Sequence, residues 1–140
     1  MALAGSRHGS PFPVAPVVSA ALAAGGSVRV GCASGVDVAV RSCCPSAVVL
    51  HASSFPGPPR ARLAARTRAV VAGADALVVF PPSEASGTLG PGSALAVREA
   101  LRRDIPVWCA GPRMSIPAPW QPLCLAGVLG FVFLPASSLF

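Results

Sequence analysis

Short apolar runs alternate with helix-like segments along this chain, and that alternation constrains its fold more than any other feature. The clearest example is the run "DALVVFPP" (75–82), which is followed by the amphipathic segment "GSALAVREALRRD" (92–104). Such alternation indicates βαβ units, and uninterrupted apolar strands indicate helices on both faces of a parallel sheet. We therefore predict an α/β fold with a mainly parallel sheet of five to six strands. The predicted strands are 1–4, 27–32, 47–52, 75–82, 105–111 and 127–135, and the predicted helices are 14–24, 35–43, 60–74 and 92–104.

Small residues dominate the turns that follow the predicted strands. These turns are "GSRHGS" (5–10) after strand 1, "VGCASGVD" (30–37) at the end of strand 2 and "ASGTLGPGS" (85–93) after strand 4. In an open parallel sheet a ligand lies beyond the carboxyl ends of the strands, and Gly-rich turns that lead into helices favour phosphate. Neither a GxxxxGK[ST] nor a GxGxxG motif occurs in the sequence. The turns therefore predict a phosphate site without assigning it to either motif.

The charge of the chain points to an anionic ligand or partner. The net charge is +6, and all eleven basic residues are Arg, the side chain that binds phosphate and carboxylate in a bidentate manner. A GC-rich coding bias also explains the absence of Lys, but it does not remove the charge. Because charged residues make up only 11% of the chain and hydrophobic residues 53%, we expect one folded domain over 1–140 rather than disorder.

The cysteines indicate a reducing compartment. They are odd in number, and no pair has CxxC spacing; they are Cys32, Cys43, Cys44, Cys109 and Cys124. We predict mostly buried free thiols, no metal site, no cofactor and a cytoplasmic location. A secretory signal peptide over 1–27 is the alternative, although Pro11, Pro13 and Pro16 interrupt its apolar part.

The end of the chain is apolar and uncharged. Its densest part, "LCLAGVLGFVFLPA" (123–136), is shorter than the roughly 20 residues that span a bilayer, and prolines interrupt the region. We therefore expect no membrane partner. Residues 113–140 are predicted to be an extension of the domain that supplies a last strand or an interface.

The order of four motifs adds a family resemblance. The four motifs are "ALAGSR", "GCASGVDVAVR", "RTRAVVAGADALVVFPP" and "SGTLGPGSALAVREALRRDIPVW". Together they resemble the SLOG superfamily of Rossmann-like proteins over residues 2–111. That superfamily includes the LOG phosphoribohydrolases, the DNA-processing protein DprA and the YspA-like proteins. The chain is nearest to the DprA and YspA-like side, since its second turn has the form G-x-A-x-G-x-D. The resemblance implies a Rossmann-like three-layer sandwich and a homo-oligomer.

The resemblance also implies which residues bind a nucleotide-type ligand. In this superfamily the turns after strands 1, 2 and 4 converge on one ligand, with the first and third turns on phosphate and the second on the neighbouring wall of the pocket. Asp37 then holds a ribose hydroxyl, or it only caps a helix. Arg66 aligns with a functional Arg of the LOG helix. The implied ligand-binding residues are Gly5, Ser6, Arg7, Gly31, Ala33, Ser34, Gly35, Asp37, Arg66, Ser86, Gly87 and Thr88.

The sequence departs from LOG enzymes at the acidic residue that acts on the ribosyl bond. Pro91 occupies its position, while Glu84 precedes the turn and Glu99 lies more than two helical turns beyond it. These two carboxylates are therefore the candidate catalytic residues if the chain is an enzyme.

Three functions follow from these observations. The first is a small module that binds a nucleotide or nucleotide-derived ligand as a sensor or carrier. The second is an N-glycosidic hydrolase of nucleoside monophosphates. The third is a nucleic-acid binder similar to DprA. We rank it lower because single-strand binders stack bases on aromatic residues, and the basic segment 60–68 contains none.

Overall fold

The computed structural model describes residues 1–139, which form a sheet of seven strands flanked by four helices. The strands are β1 (Ala2–Gly5), β2 (Arg29–Val30), β3 (Val48–Val49), β4 (Leu77–Phe80), β5 (Val107–Ala110), β6 (Gln121–Leu125) and β7 (Val128–Phe133). The helices are α1 (Ala15–Ala23), α2 (Val36–Cys43), α3 (Pro59–Ala72) and α4 (Pro91–Arg102). Short 3₁₀ turns follow β3 and β7 at Ala52–Ser54 and Ala136–Leu139. The strand order is β3-β2-β1-β4-β5-β7-β6.

The sheet is parallel from β3 to β5, and helices cover both of its faces. Along β4, Val78 and Phe80 pack with α1 and α2 on one face, whereas Leu77 and Val79 pack with α3 and α4 on the other. All four residues of β4 are buried, which explains its uninterrupted apolar sequence. The predicted α/β, Rossmann-like three-layer architecture is confirmed.

The glycine at the end of β1 allows its backbone to lie close to β4 and α2. Gly5 is the last residue of β1, where a Cβ atom would lie 2.7 Å from the carbonyl oxygen of Phe80 and 2.6 Å from Val36. Since β2, β1 and β4 are neighbours in the sheet, the turns after these three strands lie at one edge of it. This edge is where a ligand site is expected in an open α/β sheet.

The end of the chain adds a hairpin that the sequence analysis described only in part. The predicted last strand is present as β7, but β6 lies antiparallel beside it, so the sheet has seven strands rather than five or six. Ala126 and Gly127 connect the two strands with φ of 50° and 80°, the backbone of a tight hairpin turn. The strand was missed because Pro122 argues against a strand and Ala126 is unusual in such a turn.

Within the described residues, no helix is both long enough and apolar enough to cross a membrane.

Candidate functional site

The turns after β1 and β2 are joined to each other by backbone and side-chain hydrogen bonds. The N–H of Val36 donates to the carbonyl of Ser6 over 3.0 Å, and the hydroxyl of Ser34 donates to the carbonyl of Arg7 over 2.8 Å. Gly35 lies between them with φ of +70°, where a Cβ atom would overlap the backbone of Ser6 and Arg7. Glycine is therefore required at this position, because it allows both the close approach and the left-handed backbone.

A buried ion pair lies behind these turns. Nη1 of Arg66 on α3 lies 3.6 Å from Oδ2 of Asp37 on α2, and the two residues are only 9% and 6% exposed. Gly31 lies against the pair, since a Cβ atom there would come within 2.5 Å of Arg66 Nη1 and 2.8 Å of Asp37 Oδ2. The ion pair can therefore form in this position only because residue 31 is a glycine and has no side chain.

The surroundings of Asp37 indicate a structural function. Its Oδ2 accepts the N–H of Ala33 over 3.1 Å, so the carboxylate fixes the turn that precedes its own helix. Burial raises the pKa of Asp37, and the hydrogen bond from Ala33 together with the charges of Arg66 and Arg41 opposes that rise. The Asp37 carboxylate therefore already has partners within the protein, and its contact with a ribose hydroxyl stays a prediction.

The guanidinium group of Arg66 also has partners within the protein, but not for every one of its nitrogen atoms. Its Nη2 donates to the hydroxyl of Thr67 over 3.4 Å, and its Nε is buried with no hydrogen-bond partner among the described residues. An unpaired buried donor costs about 1–3 kcal/mol, so a group that accepted a hydrogen bond from Nε would recover part of that energy.

Two further arginines stabilise the backbone rather than a ligand. Nη1 of Arg41 donates to the carbonyls of Gly31 (2.9 Å) and Ala33 (3.1 Å). Arg29 donates to the carbonyls of Ala69 and Val70 at the end of α3. The sequence analysis assigned the positive charge to an anionic ligand or partner, and nothing in the local sequence distinguishes these structural arginines from free ones.

The loop after β4 satisfies its own polar groups. The hydroxyls of Ser86 and Thr88 are 2.9 Å apart, and the N–H of Thr88 donates to the Ser86 hydroxyl over 3.0 Å. Gly87 packs against the backbone of Arg113, where a Cβ atom would overlap the Arg113 carbonyl. Gly87 therefore lies against the segment that follows β5, whereas Ser86 and Thr88 are exposed.

A cleft of about 680 Å³ lies between α3, α4 and the end of β1. Its apolar lining includes Leu63 and Leu95. The cleft brings together seven of the twelve predicted ligand-binding residues: Gly5, Ser6, Arg7, Gly31, Ala33, Asp37 and Arg66. The other five, Ser34, Gly35, Ser86, Gly87 and Thr88, are not among the residues that line it.

The structure adds Arg60 to the residues predicted for the site, and of the predicted turn 85–93 it brings only residues 90–93 to the cleft. Arg60 lines the cleft from the first turn of α3. Residues 90–93, where α4 begins, line the opposite side. The first turn of α4 contains no acidic residue, and Gly90 makes no side-chain cap, so its positive end is open to an anion. Membership of the basic cluster 60–68 and the helix-start signal at Pro91 were the available signals.

The candidate catalytic carboxylates lie outside this cleft. Glu84 is exposed in the loop after β4. Glu99 is bound by Arg102 and Arg103 over 2.7 and 2.8 Å, and these hydrogen bonds lower its pKa to about 2. The part of the chain that the structure describes contains no cluster of three or more His, Cys, Asp or Glu side chains suited to a metal ion.

Comparisons with known proteins support the fold. No family model and no curated protein match the chain. Among solved structures, it is similar to DNA processing protein A from Helicobacter pylori, reported for its single-stranded DNA binding mode, with 19% identity and a TM-score of 0.59. The match covers 81% of this chain and 66% of that one, just under two thirds of its length. The likeness supports a DprA-like fold.

Proposed function

We propose that the cleft between α3 and α4 binds a nucleotide through its phosphate group. The observation that carries the proposal is the convergence of the first two turns and the start of α4 on one cleft. Arg7 and Arg60 line it and are exposed, so their guanidinium groups are available for charge-assisted hydrogen bonds. Asp37 is the single carboxylate among the described lining residues, and Ala33 and Arg66 already engage it.

The proposed pose places phosphate at the polar mouth and the rest of the ligand on aliphatic side chains. The phosphate lies near Arg7, Arg60 and the start of α4, where helix polarity favours an anion. Leu63 and Leu95 then support the sugar or base through apolar contact. Arg66 also lines the cleft, but its Nε is buried and takes no part in the proposed pose. In this pose Ser86, Gly87 and Thr88 contribute no phosphate contact.

We rank binding above N-glycosidic hydrolysis because of the positions of the acids. Neither Glu84 nor Glu99 lines the cleft, and a general acid or base must come within hydrogen-bond reach of the reacting group. Glu99 is also held ionised by its two arginine partners.

A single-stranded nucleic acid is the second candidate ligand. The similar structure is that of a protein reported to bind single-stranded DNA, and the exposed Arg62 and Arg68 extend the positive charge of α3 beyond the cleft. Among the residues described, the lining of the cleft contains no Phe, Tyr or Trp, and His8 is the one side chain with an aromatic ring on which a base could stack.

Calorimetric titration of matched arginine variants tests the proposal. Arg60→Ala should weaken binding of a nucleoside monophosphate about tenfold, equivalent to about 1.4 kcal/mol, and should leave the weaker binding of the nucleoside unchanged. Arg68→Ala is the control, because Arg68 is exposed on the same helix but does not line the cleft. Equal losses for both variants, with an oligonucleotide preferred over the mononucleotide, would favour the nucleic-acid candidate instead.

A further inference from the structure

The five cysteines of the chain lie in different environments. All of them are free; Cys44 and Cys109 are buried, Cys43 and Cys124 are exposed, and Cys32 is half-buried. The prediction of mostly buried thiols is therefore correct only for Cys44 and Cys109. Burial raises the pKa of Cys109 to about 12, as expected of a structural thiol. Reactive thiols instead lie in partly exposed, electropositive surroundings.

The sulfur of Cys32, in the turn after β2, accepts two hydrogen bonds. The N–H of Ala52 donates to Sγ over 3.3 Å, and Nη1 of Arg66 donates to it over 3.6 Å. Arg41 donates to the carbonyls on either side of Cys32, and Asp37 is the acidic residue paired with Arg66. Burial alone would raise the pKa of Cys32, but the bond from Ala52 and the bond and charge of Arg66 outweigh burial and lower it.

Cys43 is more exposed than Cys32 but has the opposite hydrogen bonding. Its Sγ donates to the carbonyl of Val40 over 3.5 Å, so this contact uses the thiol proton. Burial and the neighbouring Cys44 raise the pKa of Cys43. The less exposed of these two thiols is therefore the one whose thiolate the protein stabilises.

The guanidinium group beside Cys32 lacks acceptors. Arg66 is only 9% exposed, and its Nε has no hydrogen-bond partner among the described residues. Its Nη1 lies 3.6 Å from Oδ2 of Asp37, which is beyond hydrogen-bond length. A guanidinium group has five N–H donors, and sulfur is a weak acceptor. An oxygen atom bonded to the sulfur of Cys32 would give this buried group a stronger one.

We propose that Cys32 is a modification site, at which hydrogen peroxide converts the thiolate to a sulfenic acid. The sulfur attacks one oxygen of the peroxide, so that an S–O bond forms while the O–O bond breaks and hydroxide leaves. The sulfur loses two electrons and the peroxide gains them. Arg66 stabilises the thiolate before the reaction and the added oxygen after it. Cys32 does not line the cleft between α3 and α4, so this proposal is independent of nucleotide binding.

Alkylation of the whole reduced chain by iodoacetamide, with each cysteine quantified by peptide mass spectrometry, tests the proposal. At pH 7 Cys32 should react at least about threefold faster than Cys43 or Cys124, because its larger thiolate fraction outweighs its lower intrinsic nucleophilicity. At about pH 10, where ordinary thiols also ionise, the two exposed cysteines should react at least as fast as Cys32. If Cys43 or Cys124 reacts faster at both pH values, accessibility alone controls reactivity and the proposal is overturned.

A matched pair of arginine variants and a peroxide treatment complete the test. Arg66→Gln should slow alkylation of Cys32 at pH 7 by about threefold or more, whereas Arg68→Gln, on the exposed face of the same helix, should leave it unchanged. Circular dichroism checks that both variants fold, and the pH profile of the parent decides if Arg66→Gln does not. After hydrogen peroxide, dimedone should label Cys32 before the other cysteines. Equal labelling of the exposed cysteines, or none at Cys32, would overturn the proposal.

Discussion

Two glycine-rich segments that resemble each other in sequence have different environments in the structure. The turn 31–37 is fixed by the buried pair of Arg66 and Asp37 and is joined to the turn after β1. The loop 81–90 is largely exposed, and its hydroxyls bond to each other. In the first segment glycine makes room for an ion pair, whereas Gly90 at the end of the second has open space around its Cα. Similar composition therefore reflects packing around an ion pair in the first segment, whereas in the second it reflects packing at Gly87 and accessibility at Gly90.

The largest expected effect is removal of the acid from the fixed turn. Asp37→Ala leaves the guanidinium of Arg66 buried without its counter-charge, and breaking a buried pair from one side costs about 3–5 kcal/mol. Glu84→Ala, in the exposed loop, should change the free energy of unfolding by no more than about 0.5 kcal/mol. Urea denaturation of the two variants measures both effects. Similar free energies of unfolding for the two variants would contradict the proposed difference between the two segments.

A smaller effect is expected from adding one methyl group to each segment. In Gly31→Ala the new Cβ meets Arg66 and Asp37, and overpacking of this kind costs about 1–3 kcal/mol. In Gly90→Ala the new Cβ has no neighbour within 4 Å among the described residues, and φ is −66°. Alanine is less favourable than glycine at the N-cap, which offsets the gain from a stiffer unfolded chain, so the free energy of unfolding should change by less than about 1 kcal/mol. Thermal melting provides the measurement. A stable Gly31→Ala variant would mean that the ion pair can shift to accommodate the methyl group.

The smallest effect concerns acid pH and a carboxylate outside both segments. Glu99 has its pKa lowered from 4.5 to about 2 by hydrogen bonds from Arg102 and Arg103. Its contribution to stability is therefore complete above about pH 4.5 and is lost as the pH falls toward 2. Because Arg102 is 67% exposed, solvent screens the pair, and the loss should be smaller than that of Asp37→Ala. Glu99→Gln should flatten the stability curve in this range, and an unchanged curve in acid denaturation would show that the pair contributes nothing.

The sequence predicted the central layers well because their signals are local. Buried strands such as β4 are continuous apolar runs, and Gly31, Ala33 and Asp37 lie where the strand-turn-helix pattern indicated. The functions of individual arginines were not predictable, since the long-range contacts of Arg29 and Arg66 join residues 29 to 41 positions apart. The β6–β7 hairpin was missed in part because its turn has Ala126 where asparagine or glycine is usual.

The central claim is that the ligand contacts the fixed turns and the start of α4 rather than the loop that precedes it. A titration of ¹⁵N-labelled protein with a nucleoside monophosphate, followed by backbone amide shifts, tests this claim most directly. We expect the largest shifts in residues 5–7, at Gly31 and Ala33, and at Gly92 and Ser93, which line the cleft. Residues 83–88 should change little. Shifts concentrated in 83–88, or changes along the exposed arginines of α3 with none in the cleft, would contradict it.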